Sequence, residues 1–313
     1  MEIEQQINRL LEQGESDRAL ALAGEHYPEW LASGRLAEGR ECLQRVLDAP
    51  PGMETASRVT ALLGAGMLEF RQGDDRNARR LFDEALAVAR RVGDTAQEAR
   101  ALNSLARVAL RGRDPARVQE LAREAWRLYE HVGDRPGVAT SRHMTAAATR
   151  MKGDHAGAAE VYAENLRDAR EREDGVFVSV ETLNLGYMKL HLGDASGAAP
   201  LFEESLRVSS GAGDAYVLPY SLMGMGSLAL AQGDPELGAR LLAAAKAGFD
   251  AGGFAIDPGS DEEFEQGVAD ARAALGERFE EVWKAGAALG TDDAVAQALA
   301  NTEERVRPEG SDP

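Results

Sequence analysis

The feature that most constrains this chain is a pulse of Gly-Asp pairs at a spacing of 20 residues. The pairs fall at Gly73-Asp74, Gly93-Asp94, Gly133-Asp134, Gly153-Asp154, Gly193-Asp194, Gly213-Asp214 and Gly233-Asp234. The two vacant grid points carry near-matches, GRD at Gly112 to Asp114 and EDG at Glu173 to Gly175. Glycine adopts the left-handed conformation that ends a helix, and the aspartate after it caps the next one. Between pulses the residues are helix formers, and Ala78, Leu81, Phe82, Ala85, Leu86 and Ala89 recur at helical spacing. The chain therefore reads as helix, turn, helix, turn, with a unit of about 40 residues.

Five pairs are predicted, at about 56–92, 95–132, 135–173, 175–212 and 215–252. The resulting organisation is an N-terminal helical pair or cap at 1–50, repeats over 51–252, capping helices at 253–302 and a disordered tail at 303–313. Asp48–Gly52 is a break, because its two prolines cannot sit inside a helix. Phe279 and Val282 are apolar positions in the terminal helices that pack either in a cap or in a homodimer. A stacked array must cover its last apolar face, so helical end caps are expected.

The second half of each unit resembles a tetratricopeptide (TPR) helix, as in GDDRNARRLFDEALAVAR and GDASGAAPLFEESLRV. Ala78, Ala158 and Ala198, with Phe82, Tyr162 and Phe202 four residues later, match the helix-packing positions of that motif. Leu185-Gly186 carries its close-approach pair, whereas Ala65-Gly66, Leu105-Ala106, Thr145-Ala146 and Met225-Gly226 depart from it. The fold this implies is all-α, a TPR-like right-handed helical solenoid of five to six helix pairs with helical caps. WLASGRLAEGRECLQRVL at 30–47 and LGERFEEVWKAGAALGTDDAVAQAL at 275–299 extend the likeness. They are similar to the repeat region of MalT-like, LuxR-type and SARP-type ATPase regulators of actinobacteria. That resemblance implies a sensor or partner platform in a regulatory system. No G-x-x-x-x-G-K-[ST] loop and no helix-turn-helix accompany it, so the chain reads as a stand-alone member or an excised domain, with Met1 favouring the first.

Chemistry is harder to find. His26, His131, His143, His155 and His191 form no HExxH pair, and Cys42 is the only cysteine, so no metal site and no disulfide are expected. His131, His155 and His191 lie at turns and read as solvated or helix-terminal groups. Gly64-Ala65-Gly66 and Gly224-Met225-Gly226 lie within helices, where close packing explains them better than phosphate binding. Trp30, Trp126 and Trp283 read as core. No cofactor and no catalytic constellation are expected.

In TPR arrays the first helix of each unit lines the groove, and that rule transfers to particular residues here. It gives Arg71 in the first unit, Arg100, Asn103, Arg107 and Arg111 in the second, His143 and Arg150 in the third, and Tyr187, Tyr220 and Met223 beyond. Arg100, Arg107 and Arg111 fall within about 40° on one helix face and can grip a carboxylate. The competing reading is that these arginines pair with acids of adjacent helices. Tyr187, Tyr220 and Met223 divide in the same way, between a recognition surface and interhelix filling.

Charge sharpens the choice of partner. With 35 Lys+Arg against 53 Asp+Glu the net charge is −18, which argues against nucleic acid. The acidity is uneven: residues 250–313 carry −11, whereas residues 56–131 carry +3. A protein or peptide partner with an acidic segment fits that basic sector. No long apolar run points to a membrane, and a cytoplasmic location is expected. The function implied is a non-enzymatic protein- or peptide-binding regulatory adaptor. The alternatives are a sensor responding to a small molecule or signalling peptide, and an enzyme built on the same scaffold.

Overall fold

Each Gly-Asp pair ends one helix and starts the next by the same set of bonds in this computed structural model, which describes residues 2–50 and 54–306. Gly73, Gly93, Gly133, Gly153, Gly193, Gly213 and Gly233 all have φ between +62° and +85°. The aspartate that follows donates its N–H back to a carbonyl five residues earlier, as in Asp94 to Ala89 (3.0 Å) and Asp194 to Lys189 (2.8 Å). This is the Schellman closure. Its carboxylate then accepts the N–H three residues ahead, as Asp94 does from Gln97 (3.0 Å) and Asp194 from Gly197 (2.8 Å). The N–H of Asn77 and the N–H of Gly197 accordingly hold the Asp74 and Asp194 carboxyls below the usual carboxylate range.

The near-matches resolve differently from the sequence expectation. The left-handed residue is not Gly112 (φ −72°) or Gly175 but Arg113 (φ 55°) and Glu173 (φ 56°), which occupy the grid points themselves. Geometry at these two turns is imposed by the closing bonds, Asp114 N–H to Ala109 and Asp174 N–H to Ala169, rather than by a glycine.

The helices are α1 (Glu2–Glu12), α2 (Ser16–Ala32), α3 (Leu36–Asp48), α4 (Ala56–Arg71), α5 (Asp75–Val92), α6 (Thr95–Arg111), α7 (Pro115–Val132) and α8 (Arg135–Met151). There follow α9 (His155–Glu171), α10 (Gly175–His191), α11 (Ala195–Ala212), α12 (Val217–Ala231) and α13 (Pro235–Gly252). The chain ends in α14 (Ser260–Leu275), a 3-10 turn at Gly276–Arg278, α15 (Phe279–Ala287) and α16 (Thr291–Val306). Among the described residues there is no strand, and the architecture is an all-α, TPR-like solenoid of sequentially packed pairs. The expected tail at 303–313 is helical as far as Val306; residues 307–313, like Pro51 and Gly52 of the expected break, lie outside the described residues.

Two compact units make up the chain: residues 1–154 with 252–258, and residues 155–251 with 259–313. In the first unit α2, α4, α6 and α8 pack side by side as first helices, and α5 and α7 pack against them as second helices. In the second unit α10 and α12 are neighbours and α11 packs on both. There α12 also touches α14 and α16, so it is buried on all sides. Phe279 and Val282 form a small core with Ala239 and Ala271, against which Trp283 packs.

Contact between the two helices of a pair rests on a missing side chain. A Cβ on Gly66 of α4 would lie 2.5 Å from Cε1 of Phe82 of α5, and one on Gly186 of α10 would lie 2.6 Å from Cε1 of Phe202 of α11. Gly224 of α12 makes room for the same Phe202 ring, at 2.6 Å. The glycine clusters thus serve close packing. Trp30 is fully buried, while Trp126 and Trp283 are half-buried. Among the described residues no helix is long and apolar enough to cross a membrane.

Two stability changes follow. Phe82→Ala empties a fully buried site beside a glycine that cannot fill it, and costs about 3–5 kcal/mol by urea denaturation. Glu173→Gly relieves a left-handed non-glycine residue at an exposed turn and raises stability by up to about 1 kcal/mol, net of glycine's entropy cost.

Candidate functional site

A 40-residue unit puts equivalent residues at the same height on neighbouring first helices. Arg71 is the last residue of α4, and Arg111, 40 positions on, is the last of α6. Helix C-termini expose carbonyls and carry partial negative charge, which suits guanidinium groups there. Arg111 donates from Nη1 to the Phe70 carbonyl (2.7 Å) and to Asp75 Oδ1 (2.7 Å). Its guanidinium carbon lies 3.8 Å from the centre of the Phe70 ring, and that of Arg71 lies 5.6 Å away. Phe70, 1% exposed, is therefore the apolar floor beneath two cations.

The group they hold belongs to the same chain. Between α13 and α14 the backbone of Phe254–Asp257 has no regular secondary structure, and this stretch packs within the first unit. Asp257 places Oδ2 2.5 Å from Arg71 Nη1 and Oδ1 3.5 Å from Arg111 Nη2, so one carboxylate bridges two guanidiniums. Ala255 donates its N–H to the Arg71 carbonyl at 2.7 Å. Arg150, near the end of α8, donates to the Pro258 carbonyl at 3.5 Å. Phe254 is buried, at 6% exposure. Two turn glycines clear the path: a Cβ on Gly73 would meet the Ala255 Cβ at 3.2 Å, and one on Gly34 would meet Gly252 Cα at 3.7 Å.

The remaining expected site residues are distributed as follows. Arg100 does not converge with Arg111. It donates to the Tyr27 hydroxyl (2.9 Å), over whose ring it sits at 5.6 Å. Asn103 is buried and donates to Ser141 Oγ at 3.0 Å. Arg107 and His143 are half-buried on α6 and α8. Arg100, Arg107 and Asn103 share the neighbourhood of the Tyr129 phenol. Burial pushes that phenol up to about 12, against the opposing pull of the two arginines and the Asn103 hydrogen bond.

Tyr187, Tyr220 and Met223 lie in the second unit and are interior, at 2%, 5% and 0% exposure. Tyr187 meets the Phe202 ring edge-on at 5.1 Å, and Tyr220 meets Phe249 at 4.6 Å. Both rings pack on second helices, Tyr187 on α11 and Tyr220 on α13, so these first-helix positions fill the space between helices.

The histidines at the turns are helix-terminal, and His131 and His191 are exposed. His155 and His191 stack with ring centres 4.3 Å apart, and His191 Nε2 lies 2.6 Å from Glu263 Oε1. Among the described residues no three His, Cys, Asp or Glu side chains gather as a metal site would require. Burial pushes the Cys42 thiol up to about 11, which disfavours the reactive thiolate.

Asp257, Ala255, Tyr27 and Tyr129 are the contributors that repeat reasoning passed over. One signal was available for the first: Asp257 is the sole acid in the connector GGFAIDPGS.

The Tyr129 environment has a measurable consequence. A phenol harder to ionise in the native state than in the unfolded chain makes stability fall as pH rises from about 10 through about 12. Tyr129→Phe should flatten that fall in denaturation curves recorded across the interval.

Comparison with known proteins agrees with this architecture. Residues 57–131 match the tetratricopeptide repeat family model. No curated protein sequence matches the chain. Among solved structures, a Rap protein complexed with competence and sporulation factor is similar in fold, with a TM-score of 0.60 at 16% identity over 97% of this chain and 98% of that one. NprR in complex with its cognate peptide NprX also gives 0.60 at 16% identity, over 98% of this chain and 84% of its own. A signal-transduction ATPase with a tetratricopeptide repeat sensor from Pyrococcus horikoshii gives 0.58 at 14% identity, over 97% of this chain and 53% of that one. At these identities the likeness is one of fold.

Proposed function

We propose that this chain is a protein- or peptide-binding repeat scaffold, without catalytic activity of its own, that serves as a regulatory or signalling adaptor. One observation carries the reading. The first unit already holds an irregular, carboxylate-bearing stretch of polypeptide against its first helices, by a backbone hydrogen bond from Ala255 and an ion pair from Asp257. Those are the terms in which extended peptides are recognised, main-chain bonds for affinity and side-chain pairs for specificity. Rap and NprR support it at the level of fold, one complexed with competence and sporulation factor and the other with its cognate peptide. The likeness of 30–47 and 275–299 to MalT-like regulators supports a regulatory setting.

The basic sector on α6 supplies the test. Joint substitution Arg100→Glu and Arg107→Glu reverses charge on a half-buried face without touching the Gly-Asp punctuation. Capture of the partner from host extract should fall by roughly tenfold or more, while the helical circular-dichroism spectrum is retained. Capture at the unaltered level would remove the basic face from the binding surface.

A further inference from the structure

The connector between α13 and α14 has a form that a plain linker does not need. It combines a buried aromatic (Phe254), a backbone N–H spent on the Arg71 carbonyl, and a carboxylate shared between Arg71 and Arg111. The two arginines stand 40 residues apart on adjacent first helices, so the pair is a product of the repeat itself. Asp257 lies 186 and 146 residues away from them in the chain. Arg71 is buried, at 7% exposure, and a buried guanidinium without a counter-charge is costly. Asp257 supplies that counter-charge, and another peptide with the same groups would present the same charge to the same cations.

We propose that Gly252–Pro258 is an intramolecular ligand. It occupies in cis the place at which the first unit takes an extended partner peptide of the form aromatic, two small or aliphatic residues, then Asp or Glu. The partner binds by displacing it. This rests on the reading of the chain as a peptide-binding scaffold and names the chemistry and the regulation of that binding. The cations are supplied by Arg71 and Arg111, the main-chain acceptor by the Arg71 carbonyl, and the clearance by Gly73, whose φ is +85°. A neutral peptide would not replace the carboxylate shared by Arg71 and Arg111 and would not displace the segment. A partner's affinity is lowered by competition with the tethered copy, so weakening the copy strengthens the partner.

The experiment uses the full chain and a fluorescein-labelled peptide, GGFAIDPGS, read by fluorescence anisotropy. Asp257→Asn in the chain weakens the cis ligand and should raise affinity for the labelled peptide by roughly tenfold or more over the unaltered chain. A peptide with Asn in place of its Asp should bind the same variant roughly tenfold more weakly or worse. Equal binding of the peptide by the variant and the unaltered chain would overturn the proposal. If Asp257→Asn fails to fold, hydrogen exchange at the Ala255 amide decides. In the unaltered chain that amide should exchange faster when the peptide is added in large excess, and an unchanged rate overturns the proposal. Loss of partner capture on reversing Arg100 and Arg107, combined with no gain from Asp257→Asn, would sink the cis ligand alone and leave the scaffold reading standing. Retained capture after that reversal, with gain from Asp257→Asn, would remove the α6 basic face from the binding surface and leave the cis ligand standing.

Discussion

The fold depends on how closely the two helices of a pair can approach, and that distance is fixed by a ring against a residue with no side chain. Phe82 lies over Gly66 and Phe202 over Gly186, each at a position where even one methyl would overlap the ring. A ring buried against backbone gains dispersion contacts on its whole face, and an interior packed to crystal-like density has no slack to absorb a change there. Where the ring is absent the small partner persists: the second pair carries Ala106 and Ala122, both fully buried. Spacing between helices, and hence the height at which Arg71 and Arg111 stand beside each other, follows from this contact.

Local punctuation explains why so much of the architecture can be read without coordinates. A left-handed residue and a capping carboxylate must be specified at the turn itself, so Gly93-Asp94 or Gly193-Asp194 announces its own geometry. Arg113 and Glu173 mark the limit of that logic. At these turns the closing hydrogen bonds hold a residue that sequence rules would not place there, and the neighbouring glycine misleads.

The candidate site was legible only in part, for a different reason. Arg71, Arg111 and Arg150 could be placed on first helices because the repeat carries their register. What they touch could not, since Asp257 is more than a hundred residues away and no periodicity connects them. Tyr220 and Met223 show the same limit. Helix phase left them between a recognition surface and interhelix filling, and packing decides: both are interior, with Tyr220 against Phe249 of α13, while α14 and α16 add further contacts to α12. Local rules fix which residues share a face; only long-range packing determines whether the face is open.

The unevenness of charge then acquires a structural meaning. The net −18 reflects a C-terminal stretch, residues 250–313, carrying −11, and Asp257 from that stretch neutralises cations of a sector carrying +3. A buried ion pair contributes little net stability, since desolvation offsets most of the attraction, yet breaking one by removing a partner is expensive. Those two facts together describe an exchangeable contact. Replacing Asp257 by another carboxylate leaves the pairing intact and is nearly free of electrostatic cost, whereas replacing it by a neutral group is not. For the proposed exchange, selectivity for an acidic peptide would come from the penalty on every other occupant, because residues 56–131, which include α4 and α6, carry a charge of the opposite sign to the chain as a whole.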